Sequence, residues 1–269
     1  MKVTVLMDNN TKINVYYLGE PGASFWIETE GKKFLFDTGY SDAFLKNADD
    51  MHIPVTDADA VLFSHHHDDH TRGLTYLLQR SFEEKPKVIA HPDVFLRHER
   101  RGENIGCPFT EEEVREKTNL TLSKDPVWLT DKLVWLGEIP RVVEFEKPYT
   151  LGDVVRDGKL VEDYIMDDTA LAYCGEEGLS IVTGCSHSGI CNIITQAKNI
   201  TGIDHVHSLL GGFHLFEVNE KTKKTIEFLK KENIPELYPC HCTTFAVRAA
   251  IDRESPVKEV SVGMKMEWK

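Results

Sequence analysis

The residues best suited to chemistry lie in one short run, Ser64-His65-His66-His67-Asp68-Asp69-His70, where four histidines fall within six positions. It holds the pattern H-x-H-x-D-H through His65, His67, Asp69 and His70. In extended chain, residues two apart point to the same side. His65 and His67 therefore grip one cation. The chain then turns, and Asp69 and His70 face a second. Imidazole with carboxylate suits zinc first, then manganese or iron. Two such ions ~3.5–4 Å apart form a clamp for attacking and leaving oxygens. His66 and Asp68 alternate away and are given no ligand role. The run is internal and follows a buried-type strand, 60–64, so it is neither a tag nor a surface histidine tract.

That run needs a frame. Segments 3–7, 13–18, 24–29 and 32–37 read as short strands, with a hairpin turn at 30–33. A helix is expected over 41–49, capped by Ser41. Strand 60–64 leads into the histidines, then a helix over 71–79 and a strand over 87–91. This alternation indicates an α/β architecture. Residues 92–145 are charged, rich in Pro and Gly, and carry one clear helix near 111–118; they read as a lid-like insertion in a single domain spanning 1–269. The rhythm then resumes. Strands at 169–174 and 179–184 pair across a glycine turn. A helix follows at 189–199, a strand and turn at 205–212, an amphipathic helix at 221–233, a strand at 236–241 and a last helix at 243–252. Two such halves suggest a duplicated β-sandwich with outer helices.

Composition sets limits. The chain has 269 residues, 31 basic against 44 acidic, and a net charge of −13. That balance argues against bulk duplex nucleic acid as a partner. No run of 18 apolar residues exists, so no membrane partner is expected. The start, MKVTVLMDNN, lacks an apolar signal core, and the expectation is a cytoplasmic protein. Six cysteines without a C-x-x-C pair suggest neither a disulfide scaffold nor a zinc knuckle. Self-association into a homo-oligomer is left open.

Further candidates stand at segment ends. Thr183-Gly184-Cys185-Ser186-His187-Ser188-Gly189 follows a strand and opens a helix; His187 is placed to reach a metal, and N–H groups near Ser188 and Gly189 are placed to hold a phosphate. Pro239-Cys240-His241-Cys242 ends the last strand. A C-H-C tripeptide cannot easily aim three groups at one ion. His214, within Leu210-Gly211-Gly212-Phe213-His214-Leu215, is assigned to substrate contact.

The H-x-H-x-D-H run, with Asp37-Thr38-Gly39 at a strand end 28 residues before His65, resembles the metallo-β-lactamase superfamily over nearly the whole chain. The resemblance implies an αβ/βα four-layer sandwich with two metals at the sheet edges, a supporting rather than ligating role for Asp37, and a terminal metal ligand at His241. Two features depart from the pattern. Cys185 stands where a bridging aspartate is common, and no histidine lies between 99 and 186; His187 replaces the missing one. The motifs Gly137-Glu138-Ile139-Pro140-Arg141, Asp167-Asp168-Thr169-Ala170-Leu171, GCSHSGICNI, LLGGFHL and PCHC together resemble a narrower branch. That branch contains the dihydropterin-methyl-(ribofuranosyl)aminobenzene 5′-phosphate synthases. Thr169 replaces a usual Gln and Thr243 a usual Gly.

The branch implies a metal-dependent transferase. It condenses a 6-hydroxymethyl-dihydropterin diphosphate with a ribofuranosyl-aminobenzene phosphate and expels diphosphate. The implied metal set is His65, His67, Asp69, His70, His187 and His241. Asp69 and Asp168 carry catalytic roles; His214, Ser188, Gly189 and Arg141 contact a small phosphorylated or pterin-like substrate. Arg97, Arg100 and Arg101 are either partners of Arg141 in neutralising phosphate or a solvated helix face. Two alternatives remain: a dinuclear hydrolase of a phosphoester, lactone or thioester, and a non-catalytic metal- or pterin-binding protein.

Overall fold

A computed structural model describes residues 1–269, which divide into two compact units. The first comprises residues 1–124, 149–167 and 261–267. Its main sheet has seven strands, in the spatial order Lys265–Glu267, Lys2–Met7, Ser24–Thr29, Lys32–Phe36, Ala60–Leu62, Lys87–Ala90 and Asn119–Leu122. A two-residue turn joins Ser24–Thr29 to Lys32–Phe36: Glu30 and Gly31 both have positive φ (49° and 73°), the tight hairpin geometry that matches strand twist. The next strands run parallel, and Ala60–Leu62 is buried throughout, as expected for a strand covered on both faces. Trp26, Leu35, Phe44, Phe63, Leu74 and Val88 belong to the core beneath it.

Register explains why chemistry gathers at one end of this sheet. Phe36 lies opposite Leu62, and the Asp37 N–H bonds the Leu62 carbonyl at 2.9 Å. The residues that leave these parallel strands, Asp37 and Ser64–His70, therefore emerge side by side. Carboxyl ends of parallel strands are the usual place for sites in α/β proteins.

A second sheet in this unit is antiparallel, in the order Lys159–Glu162, Asp153–Arg156, His98–Arg100 and Glu103–Asn104.

The other unit comprises residues 125–148, 168–260 and 268–269. Its six strands lie in the order Glu236–Cys240, Val206–Gly212, Gly178–Thr183, Ala170–Gly175, Leu133–Trp135 and Val127–Trp128. The first three are mutually parallel, with Val182 opposite Leu210 and Leu210 opposite Tyr238. The loops that follow them, at 184–189, 213–214 and 241–242, thus leave the same end. Helices Ile190–Thr201 and Glu220–Glu232 turn Ile193, Ile194, Ala197, Ile226 and Leu229 into the core cluster of this unit. Gly211 has φ 134°, and a side chain there would collide with the Thr183 carbonyl, so glycine permits the close strand contact.

Three local expectations differ from the structure. Residues 13–18 form no strand: Ile13 is 91% and Tyr16 92% exposed, no segment pairs with them, and the chain is instead anchored where the Leu18 N–H meets the Asn47 side chain at 2.8 Å. The helix expected over 71–79 is two single turns, Asp68–Thr71 and Leu74–Leu77. Between them Gly73 presses so closely on the Thr38 carbonyl that no side chain would fit. The helix expected from 41 starts at Ala43, whose N–H is accepted by Ser41 Oγ. Of the 92–145 stretch, Asn119–Leu122 is the edge strand of the seven-stranded sheet and Leu133–Trp135 lies inside the six-stranded one. No helix is long and apolar enough to cross a membrane.

Candidate metal centre

In the first unit the histidines are oriented by one carboxylate. Asp37 is fully buried with φ 60°. Its Oδ1 accepts the Ser64 N–H (2.8 Å), and its Oδ2 accepts the Ser64 hydroxyl (2.7 Å) and faces His70 Nδ1 (2.7 Å). The Ser64 hydroxyl has donated its proton, so at 2.9 Å it accepts from His65 Nδ1. Both His65 and His70 are thereby fixed with the proton on Nδ1 and a lone pair on Nε2. This is the arrangement in which an imidazole binds metal.

His65 Nε2 lies 3.0 Å from His67 Nδ1, and His70 Nε2 lies 3.8 Å from Asp69 Oδ2. The His65 ring centroid is 4.7 Å from that of His67 and 4.3 Å from that of His70. Burial, then the proximity of His66 and His70, hold the His67 pKa well below the usual histidine value, which favours the neutral ring, in which one nitrogen carries a donor lone pair. The loop is pinned by the Thr71 hydroxyl, which donates to the His66 and His67 carbonyls. Inward-facing imidazole nitrogens beside a half-buried carboxylate fit a divalent transition ion of the zinc, manganese or iron class. His66 faces elsewhere, with Nδ1 3.0 Å from Asp167.

The second unit positions its candidates from the main chain. Ser186, at φ 58°, donates its hydroxyl to the Gly212 carbonyl at 2.6 Å, which sets the turn that carries buried His187. Arg141 donates to the His187 carbonyl at 2.8 Å. Asp168 Oδ2 accepts both the N–H and the hydroxyl of Ser188, at 2.8 and 2.5 Å. Its buried Oδ1 makes no hydrogen bond. Burial raises the Asp168 pKa, against the Ser188 bonds and the charge of Arg141. The His214 ring centroid is 4.1 Å from that of His187, and the His214 N–H meets Cys242 Sγ at 3.3 Å. Donor atoms of Cys185, His214 and Cys242 lie within 4.8 Å of one another. His241 follows its strand at φ 47°. The C-H-C tripeptide divides as its spacing suggests: Cys240 is buried, and Cys242 turns to Cys185 and His214.

The expected phosphate cradle at Ser188 and Gly189 is corrected by these bonds. The Ser188 N–H is held by Asp168, the Gly189 N–H bonds the Ser186 carbonyl, and the next N–H groups, of Cys191 and Asn192, are accepted by Glu146 at 3.2 and 2.9 Å. The helix start already carries an internal anion. Arg97 is engaged by Glu99 at 2.5 Å. Sequence reasoning missed Ser64, Glu146 and Asp167. Ser64 adjoins the motif and could have been read as its link to Asp37. Glu146 sits in a charged, proline-bearing segment with no distinguishing pattern.

With this geometry in view, the chain belongs to the metallo-beta-lactamase superfamily, whose sequence pattern it matches over residues 18–241. It is a metal-dependent enzyme with that family's α/β fold. It is 33% identical, over 91% of its length and 88% of the relative's, to the 7,8-dihydropterin-6-methyl-4-(beta-D-ribofuranosyl)-aminobenzene-5'-phosphate synthase of Methanocaldococcus jannaschii. An uncharacterized protein of the same organism is 31% identical over 90% of this chain and 91% of its own. A crystal structure described as a metal-dependent hydrolase of the beta-lactamase superfamily superposes with a TM-score of 0.85 at 26% identity, covering 99% of this chain and 98% of that one.

Proposed function

We propose that this enzyme forms a 7,8-dihydropterin-6-methyl-4-(β-D-ribofuranosyl)aminobenzene 5′-phosphate by joining a dihydropterin-methyl diphosphate to the arylamine and releasing diphosphate. The observation that carries this reading is the 33% identity to the synthase over nearly the full length of both chains.

His65, His67, Asp69, His70, His187 and His241 are the proposed ligands of two divalent cations, zinc first. When bound, the cations supply Lewis acidity to the departing diphosphate. Asp37 keeps His65 and His70 in the metal-binding tautomer. Ser188 fixes one oxygen of Asp168 and leaves Oδ1 as the proton acceptor. As the amine nitrogen bonds the pterin methylene carbon, the carbon–oxygen bond to diphosphate breaks and the amine proton passes to Asp168 Oδ1. Arg141 steadies the His187 loop and lends positive charge near Asp168. His214, beside His187, is assigned to substrate contact. A small phosphorylated, pterin-like substrate is thus the proposed partner, and the cytoplasm the proposed compartment.

A second reading, a dinuclear hydrolase, is favoured by the 26% identical structure described as a hydrolase. One assay separates them. Purified enzyme is given the pterin diphosphate with the arylamine and, in parallel, simple phosphodiesters and lactones. The transferase reading expects condensation product and released diphosphate. Fast turnover of the esters or lactones, with no condensation, rejects it.

A further inference from the structure

Phe216 stands beside the histidines of the second unit and leaves 54% of its surface exposed. Its predecessor, Leu215, is buried, and Glu217, Asn219 and Glu220 after it are polar. The ring is not an isolated apolar residue on a wet surface. Val218 (45%) and Phe245 (78%) are exposed as well, and Phe245 opens helix Phe245–Asp252 directly after Thr244. Two adjoining segments thus present apolar side chains together, which marks a surface with a binding role.

The main chain holds Phe216 in place. Leu215 and Thr243 form a parallel bridge, and the Thr244 N–H donates to the Leu215 carbonyl at 3.1 Å. The Thr244 hydroxyl donates to the Phe216 carbonyl at 3.0 Å. On the other side the Phe213 N–H meets the Thr243 hydroxyl at 2.9 Å. Between these ties His214 adopts φ 47°, a left-handed conformation that residues with a side chain adopt at a cost. Both rings are therefore set before any ligand arrives.

The rings make a corner. Their centroids are 4.7 Å apart and their planes 81° from parallel. A flat ligand ring stacked on Phe216 turns its edge to the His214 imidazole. A pterin carries nitrogen and oxygen atoms around its edge that can hydrogen-bond there; the benzene ring of the arylamine carries none apart from its amine, which the proposed reaction places at Asp168. Distance favours the same choice. His214 lies 4.1 Å from His187, centroid to centroid, so the corner is one ring away from a proposed metal ligand. A single methylene separates the pterin from the diphosphate that the metals would hold.

We infer that Phe216 is the stacking platform for the pterin ring, with His214 reading the ring's polar edge. This rests on the transferase reading above and names the residue that selects one of its two substrates. Stacking on an aromatic side chain is worth enough to matter, because alanine substitution at such platforms weakens binding of a heteroaromatic base by roughly 5–150-fold.

Binding of 6-hydroxymethylpterin, followed by the pterin's own fluorescence, tests the platform. Phe216→Ala is expected to weaken it by roughly 5–150-fold and Phe216→Tyr to restore it. In the full reaction Phe216→Ala should raise KM for the pterin diphosphate and leave KM for the arylamine unchanged. Metal content and melting temperature, read on the same sample, should match the wild type, since the ring is half in water. Equal pterin affinity in wild type and Phe216→Ala overturns the inference and leaves the transferase reading standing, as does a rise confined to the arylamine KM. A wild-type enzyme that neither binds the pterin nor condenses the two substrates overturns both.

Discussion

In the first unit a buried carboxylate, Asp37, orients side chains as well as holding the Ser64 N–H, whereas in the second Asp168 and Glu146 chiefly hold main-chain N–H groups. The reason lies in the chain segments. Ser64–His70 packs its proposed ligands into seven consecutive residues, so the backbone already brings them together and only ring orientation remains to be set. His187, His214 and His241 come from three separate strand ends, and there the loops themselves must be fixed. Asp168 therefore clamps Ser188, and Glu146 sews residues 141–146 to the start of helix Ile190–Thr201. The two regions should fail differently when cut: the first in chemistry, the second in stability.

The largest effect is expected at a ligand. His67→Ala should lower kcat/KM by more than about 100-fold, beyond the ~10–100-fold range of residues that only support a ligand. Steady-state kinetics check this, and near-normal turnover would remove His67 from the set. Asp37→Asn should fall within that supporting range in metal affinity or activity, because it upsets the tautomers of His65 and His70. A metal titration that gives wild-type affinity would show that Asp37 is merely structural.

Glu146→Ala leaves two buried N–H groups without an acceptor and should destabilise the fold by about 1–3 kcal/mol. That corresponds to a loss of roughly 2–10 °C in melting temperature for a protein of this size. Calorimetry reads it, and an unchanged midpoint would mean that the helix start finds another partner. The smallest effect is at Cys107. Burial pushes its thiol pKa up to about 12, so it should resist thiol reagents in the folded protein at neutral pH. Mass spectrometry after brief alkylation checks this, and labelling as fast as that of the half-buried Cys174 would contradict it.

The histidine run and the strand that feeds it were legible because each depends on local spacing: alternation for the proposed ligands, an apolar run for Ala60–Leu62. The 13–18 segment was misread because its β-branched and aromatic residues fit a strand, while no neighbouring edge accepts them. The phosphate reading at Ser188 and Gly189 failed for a related reason. A helix start looks open in sequence, and the carboxylate that fills it, Glu146, lies 45 residues away from Cys191. The partnership of His66 with Asp167 spans 101 residues and was equally hidden. Such long-range polar pairings leave no periodic trace.

The central claim is that separate segments of the chain contribute ligands to a divalent-metal centre. Elemental analysis of purified wild type, His67→Ala and His241→Ala measures it most directly. Bound metal is expected in the wild type and reduced metal in each variant; undiminished metal in both variants would contradict the account.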